Sequence, residues 1–219
     1  MTASSPSPQV AVRGEARLTA DPEVADLHVD VRVHGRDRQT VLERCRARQD
    51  DVTAVLAAAG DAVGTVETTG LAVYPEDRHG GPGAAASLAT RVVVVRLDAV
   101  GDLVVALGRL DDVAVSGPHW RLRPDSPVVT EARLAAVRDA VRRAQQYARA
   151  LGAQLTAVVE VSDVGLSGPG PRVAAPAMAM ARFEAGELHL DLEPARQEVH
   201  GAVEVRFAMS DVDREVFRA

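Results

Sequence analysis

Asp26, His28, Asp30 and His34 are the first side chains in this sequence whose types and spacing suit chemistry. Imidazoles and carboxylates bind transition-metal ions. Alternate residues of a strand share one face and lie roughly 6.6 to 7 Å apart. Two such neighbours can reach one ion, but a complete site needs a ligand from another strand, and the sequence does not identify one. The competing reading is a solvated or subunit-facing strand, because the open face of an antiparallel sheet is polar by default. That bland reading is preferred, with His28, Asp30 and His34 as the candidate metal ligands.

Other groups are weighed in the same way. Cys45 falls on the apolar stripe of a predicted helix, where a cysteine is normally a small inert hydrophobe; a reactive thiol needs exposure and an electropositive setting. The His79-Gly-Gly-Pro-Gly83 stretch lacks the Lys and Ser/Thr of a phosphate-binding loop. No G-x-S-x-G or H-E-x-x-H occurs. Arg133, Arg138, Arg142, Arg143 and Arg149 give the long helix a basic stripe, but Glu131 and Asp139 interrupt it, as on an ordinary solvent face. Trp120, the one tryptophan, lies beside His119 and reads as core or interface, with a ligand cleft as the alternative.

These residues must be positioned by a chain that alternates between two periodicities. Residues 10–19 and 24–34 have period two and flank the Asp21-Pro22 turn, which predicts an antiparallel hairpin. From Asp37, a plausible N-cap, the stripe Val41, Leu42, Cys45, Val52, Val55 and Leu56 predicts a helix that stops at Gly60. Strands follow at 63–75 and 88–97, the second with an apolar block that implies burial on both faces. A short helix at 100–110 and a strand at 113–123 come next. Ser126-Pro127 opens the longest helix, whose expected inner stripe is Leu134, Val137, Val141, Ala144, Ala148 and Leu151, ending at Gly152. Strands are expected at 154–164 and 198–209, with a short one near 188–192.

The fold expected is α+β: a mostly antiparallel sheet with helices packed on one face. Its middle, residues 24–123, is a βαββαβ (ferredoxin-like) arrangement, to which an extra long helix and C-terminal strands are added. One domain is expected over 10–209, with a Gly/Pro/Ala-rich excursion at 165–186 and tails at 1–9 and 210–219.

Composition narrows the classes. Charged residues make up 26% of the 219 residues, against 47% apolar, too hydrophobic a balance for a disordered chain. A net charge of −6 argues against a nucleic-acid partner. One Cys excludes an intrachain disulfide and a cysteine-based zinc site. The apolar share is mostly 38 Ala and 35 Val, with no Ile, Lys or Asn, which reads as a GC-rich genome. No stretch is long and apolar enough for a membrane span. The first nine residues show neither a basic nor an apolar leader region, so a cytoplasmic location is expected.

The segments together resemble the SIMPL-domain (DUF541) family. Val12-Arg-Gly14-Glu followed by Asp21-Pro-Glu-Val-Ala25 is similar to its opening, and Val66-Glu-Thr-Thr-Gly70 running to Pro75 to its next strand. Leu88–Asp98 with Val100-Gly-Asp-Leu103, then Val115-Ser-Gly117 and Trp120–Pro124, follow in family order. Ala140, Ala144, Ala148 and Gly152 fit its long-helix pattern. Glu23 and Leu88 depart from it, where the family has Asp and an aromatic.

The resemblance covers about residues 10 to 209 and implies no established activity, no catalytic residues and no cofactor. The family includes bacterial periplasmic and surface immunogens and a mammalian inflammatory-signalling protein. Some bacterial members are linked to oxidative-stress tolerance, and some assemble into large hollow oligomers. The function expected is therefore non-enzymatic, acting through a homo-oligomer or an unidentified protein partner. The alternatives are a metal-dependent hydrolase and a small-molecule binding module near Trp120.

Overall fold

The computed structural model describes residues 7–78, 81–163, 190–213 and 215. In chain order the elements are β1 (Gln9–Ala20), β2 (Val24–Gly35), α1 (Arg38–Ala58), β3 (Val63–Arg78), β4 (Gly81–Val94), α2 (Val100–Gly108), β5 (Val113–Arg121), α3 (Pro127–Ala150), β6 (Leu155–Asp163) and β7 (Gln197–Met209). The class is α+β as expected, with the strands divided between a four-stranded and a three-stranded antiparallel sheet. The chain splits into two compact units, one containing residues 21–123 and 190–197, the other residues 7–20, 124–163 and 198–213. The excursion at 165–186 lies outside the described residues. Of the short strand expected at 188–192, residues 190–192 are not in a strand, and the rest is outside.

In the first unit the sheet order is β3-β4-β2-β5. This is the strand order that a βαββαβ chain adopts when each crossover helix returns to the same face. β2 is interior, and Leu27, Val29, Val31 and Val33 are all buried. Opposite them on β4 stand Val92, Thr90, Leu88 and Ala86. With α1 and α2 these residues make one core, which includes Val41, Val52, Leu56, Leu103 and Leu107. Each fully buried Val or Leu contributes roughly 1.5–3 kcal/mol. α1 begins where expected, because Asp37 accepts from the Thr40 backbone N–H at 2.9 Å and from the Thr40 hydroxyl at 2.7 Å. Leu42, expected on the inner stripe, is instead exposed.

Two expectations are corrected here. β1 and β2 are not a hairpin, because β2 lies between β4 and β5 while β1 belongs to the other sheet. Alternation marks a strand but does not choose its partner, and β2 needs neighbours on both edges to bury its valines. β3 and β4 form the long hairpin instead, in register from Val63↔Val94 to Arg78↔Gly81. β4 thus starts well before residue 88, and its apolar run is not covered on both faces. Val92 and Val94 are buried, Val93 is half-buried, and Val95, just past the strand end, is exposed.

In the second unit the order is β1-β7-β6. Met209 N–H donates to the Pro8 carbonyl at 2.8 Å, and Arg17 meets Glu198 at 3.8 Å, so β1 and β7 run antiparallel. α3 lies on this sheet through Ala132, Ala136, Ala140, Ala144 and Ala148, one every four residues. The larger stripe expected there is turned outward, with Leu134 52% and Val137 38% exposed. Two glycines explain the choice. A Cβ on Gly14 would lie 2.1 Å from the Ala136 carbonyl oxygen, and one on Gly201 would lie 2.1 Å from that of Ala132. The helix backbone approaches the strands too closely for anything larger than Ala between them.

Candidate functional site

The outer face of the four-stranded sheet carries the residues singled out for chemistry. Leu27, Val29, Val31 and Val33 face the core, so Asp26, His28, Asp30, Arg32 and His34 share the opposite side. Asp26 is only 7% exposed. Its Oδ2 accepts from Arg91 Nη2 at 2.7 Å and from Arg121 Nε at 2.8 Å. Arg91 also reaches Glu67 on β3 at 3.5 Å. Burial by itself would raise the Asp26 carboxyl, but the hydrogen bonds and charges of Arg121 and Arg91 outweigh it and hold it below the ordinary carboxylate range. Oδ1 of Asp26 is buried and accepts no hydrogen bond from a described residue.

The three candidate metal ligands are placed on this face but are not brought together. His34 Nδ1 lies 2.9 Å from Glu76 Oε2, and Asp30 lies 3.7 Å from Arg32. The His28 ring meets His119 of β5 edge-on, with centroids 5.5 Å apart. Among the described residues no group of three His, Cys, Asp or Glu side chains could hold a metal ion.

The residues that sequence reasoning missed are the cross-strand ones. Arg91, Glu67 and Arg121 come to Asp26 only through sheet pairing. A usable signal was available for Arg91: it is the lone charge before four consecutive valines, and a cation inside a sheet needs a carboxylate. His119 gave no such signal. It stands opposite Asp26, after a register shift between Asp26 and His28 on the β5 edge. Bulges of this kind re-aim side chains.

The remaining candidates fall into structural roles. Cys45 is buried, and burial pushes its thiol pKa up, away from thiolate reactivity. Trp120 is half-buried against the core and stands opposite the fully buried Ala25. On α3, Arg142 and Arg143 both pair with Asp139, and Arg143 also donates to the Arg13 carbonyl at 2.8 Å. Hydrogen bonds from Arg142 and from the Glu15 backbone N–H hold the Asp139 carboxyl below its ordinary range. A depression of about 320 Å³ crosses the three-stranded sheet beside Arg13, Ser162 and Glu204, and there Arg206 pairs with Glu160 at 3.2 Å. No described helix is long and apolar enough to cross a membrane.

An α+β architecture with a polar ion cluster on an open sheet face defines a class but not a reaction. Residues 10–207 match the family described as SIMPL, protein of unknown function (DUF541), and the chain belongs to that family. Two relatives, from Brucella abortus (strain S19) and Brucella melitensis biotype 1, are each described as a 26 kDa periplasmic immunogenic protein. Each is 30% identical over 174 residues, a match that takes in 71% of this chain and 66% of the relative.

Proposed function

We propose that this chain works by protein–protein contact, first of all with copies of itself, and not by catalysis. The observation behind this reading is β6. It is an outer strand of its sheet, and Val158 and Val161 stand in register with the buried Phe207 and Val205 of β7. Yet Val158 is 60% and Val161 59% exposed, and Val159 is exposed with them. α3 is drawn over β1 and β7 by Gly14 and Gly201, which leaves the apolar side of β6 uncovered by the described residues. Natural edge strands are normally blunted by charge, proline or shortness. Here an edge of nine residues carries only Glu160 and Asp163 as charges. Packing this side of β6 against a second copy would remove these valines from water, worth roughly 1 kcal/mol per side chain at their partial exposure.

Light scattering on the purified chain tests the reading. We expect an assembly larger than one chain at micromolar concentration, which Val158→Lys with Val161→Lys shifts toward monomer with unchanged far-UV circular dichroism. A strict monomer in the unsubstituted chain, with no partner, overturns it. The cytoplasmic location and a contribution to stress tolerance belong to the same proposal. Recovery of the native chain in a periplasmic extract overturns the first, and unaltered peroxide survival of a deletion strain overturns the second.

A further inference from the structure

The strand face singled out above lacked one thing as a metal site, a ligand from a neighbouring strand. β5 brings His119 to that position. We propose that His28 and His119 form a two-histidine chelate for a borderline divalent transition-metal ion, Cu(II) in preference to Zn(II), with water completing the coordination.

The geometry carries the proposal. The two rings have centroids 5.5 Å apart and planes at 67°. Two imidazoles sharing one ion, at roughly 2.0–2.1 Å from each ligating nitrogen, place their centroids roughly 4.5 Å apart in a cis tetragonal site and roughly 5 Å apart in a tetrahedral one. The observed centroid separation is therefore close to what one shared ion requires. His119 is exposed and His28 half-buried, so both are within reach of solvent. Among the described residues neither ring has a hydrogen-bond or ion-pair partner, whereas His34 is held by Glu76 and His200 by Glu198 at 3.0 Å. Their ring nitrogens are thus not engaged by another described side chain.

The surrounding charges are compatible with a cation. Arg91, paired with His28 across the strands, and Arg121 both turn onto Asp26 Oδ2, and Glu67 takes the other end of Arg91. Two guanidiniums are thus matched by two carboxylates, and Arg32 on the same face is matched by Asp30 at 3.7 Å. Hard cations prefer all-oxygen sites. Imidazole pairs suit copper, nickel and zinc, with copper the tightest of the three.

Trp120, the only tryptophan, immediately follows His119, so Cu(II) bound there should quench its fluorescence. Metal-stripped chain titrated with Cu(II) in a non-coordinating buffer near neutral pH should lose Trp120 emission with one equivalent. The electron paramagnetic resonance spectrum should show nitrogen ligation. His28→Phe and His119→Phe, which keep a ring at each position, should each weaken binding at least tenfold with unchanged circular dichroism. His34→Phe and His200→Phe should leave it unaltered. If a phenylalanine variant misfolds, His28→Gln and His119→Gln replace it with the same expected loss. Binding of equal strength in both variants, or no binding by the unsubstituted chain, overturns the proposal. The readout is metal per chain, so it stands or falls independently of oligomeric state.

Discussion

Replacing Gly14 by alanine adds a single methyl group, and the structure gives it no room. The new Cβ would lie 2.1 Å from the Ala136 carbonyl oxygen, 2.6 Å from the Ala140 nitrogen and 2.7 Å from the Ala140 Cβ. Ordinary carbon contacts are about 3.5–4.0 Å. Two of the three obstacles are helix backbone, which cannot swing aside, so α3 must lift from β1 by more than an ångström. That separates Ala136, Ala140 and Ala144 from Val12, Val203, Val205 and Phe207. Overpacking of this kind costs about 1–3 kcal/mol, and it outweighs the 0.5–1 kcal/mol that Gly→Ala can contribute by restricting the unfolded chain. We expect Gly14→Ala to lose about 1–3 kcal/mol in urea unfolding followed by circular dichroism, and Gly201→Ala a similar amount. Gly108→Ala is the control. That glycine lies in α2, has nothing within 4 Å of a built Cβ, and should gain up to about 1 kcal/mol. Stability of Gly14→Ala within 0.5 kcal/mol of the unsubstituted chain, roughly the scatter of a neutral surface change, would refute the close approach of α3.

The Asp26 cluster should make stability depend on pH. Its folded-state carboxyl titrates below the ordinary value of 3.8, so its contribution is full above that value and is lost as pH falls through the lowered native one. Asp26→Asn should flatten that acid limb. At neutral pH it should cost about 1–2 kcal/mol, discounted from a fully buried pair because Arg91 and Arg121 keep about a third of their side chains in water. An unaltered acid limb in urea midpoints between pH 2 and 6 would count against the assignment. Cys45 should react slowly with a thiol reagent in the native protein and at once in denaturant, and fast native labelling would contradict its burial. Trp120 should emit to the blue of free tryptophan and shift red on unfolding. A panel of metabolites that leaves the emission unaltered would remove the small-molecule reading.

Much of the architecture was legible in the chain. Period two marked β2 because Leu27, Val29, Val31 and Val33 alternate with polar residues, and Asp37 and Pro127 marked helix starts through local hydrogen bonding and a preset φ. These signals act over a few residues, and side-chain direction follows from backbone geometry alone. A glycine inside a strand, such as Gly14, marks a bulge or a close backbone approach, but nothing in the sequence says what approaches it. Tertiary structure decided the partners. β1 joins β7, some 180 residues away, because strand alternation is the same whichever neighbour supplies the hydrogen bonds. α3 turns its alanines inward rather than Leu134 and Val137, because two glycines on separate strands allow a helix to come close only along a stripe of small residues. The same holds for the candidate site: the sequence could name His28, but the imidazole facing it stands on β5, where sheet pairing and a bulge, not spacing along the chain, bring His119 to it.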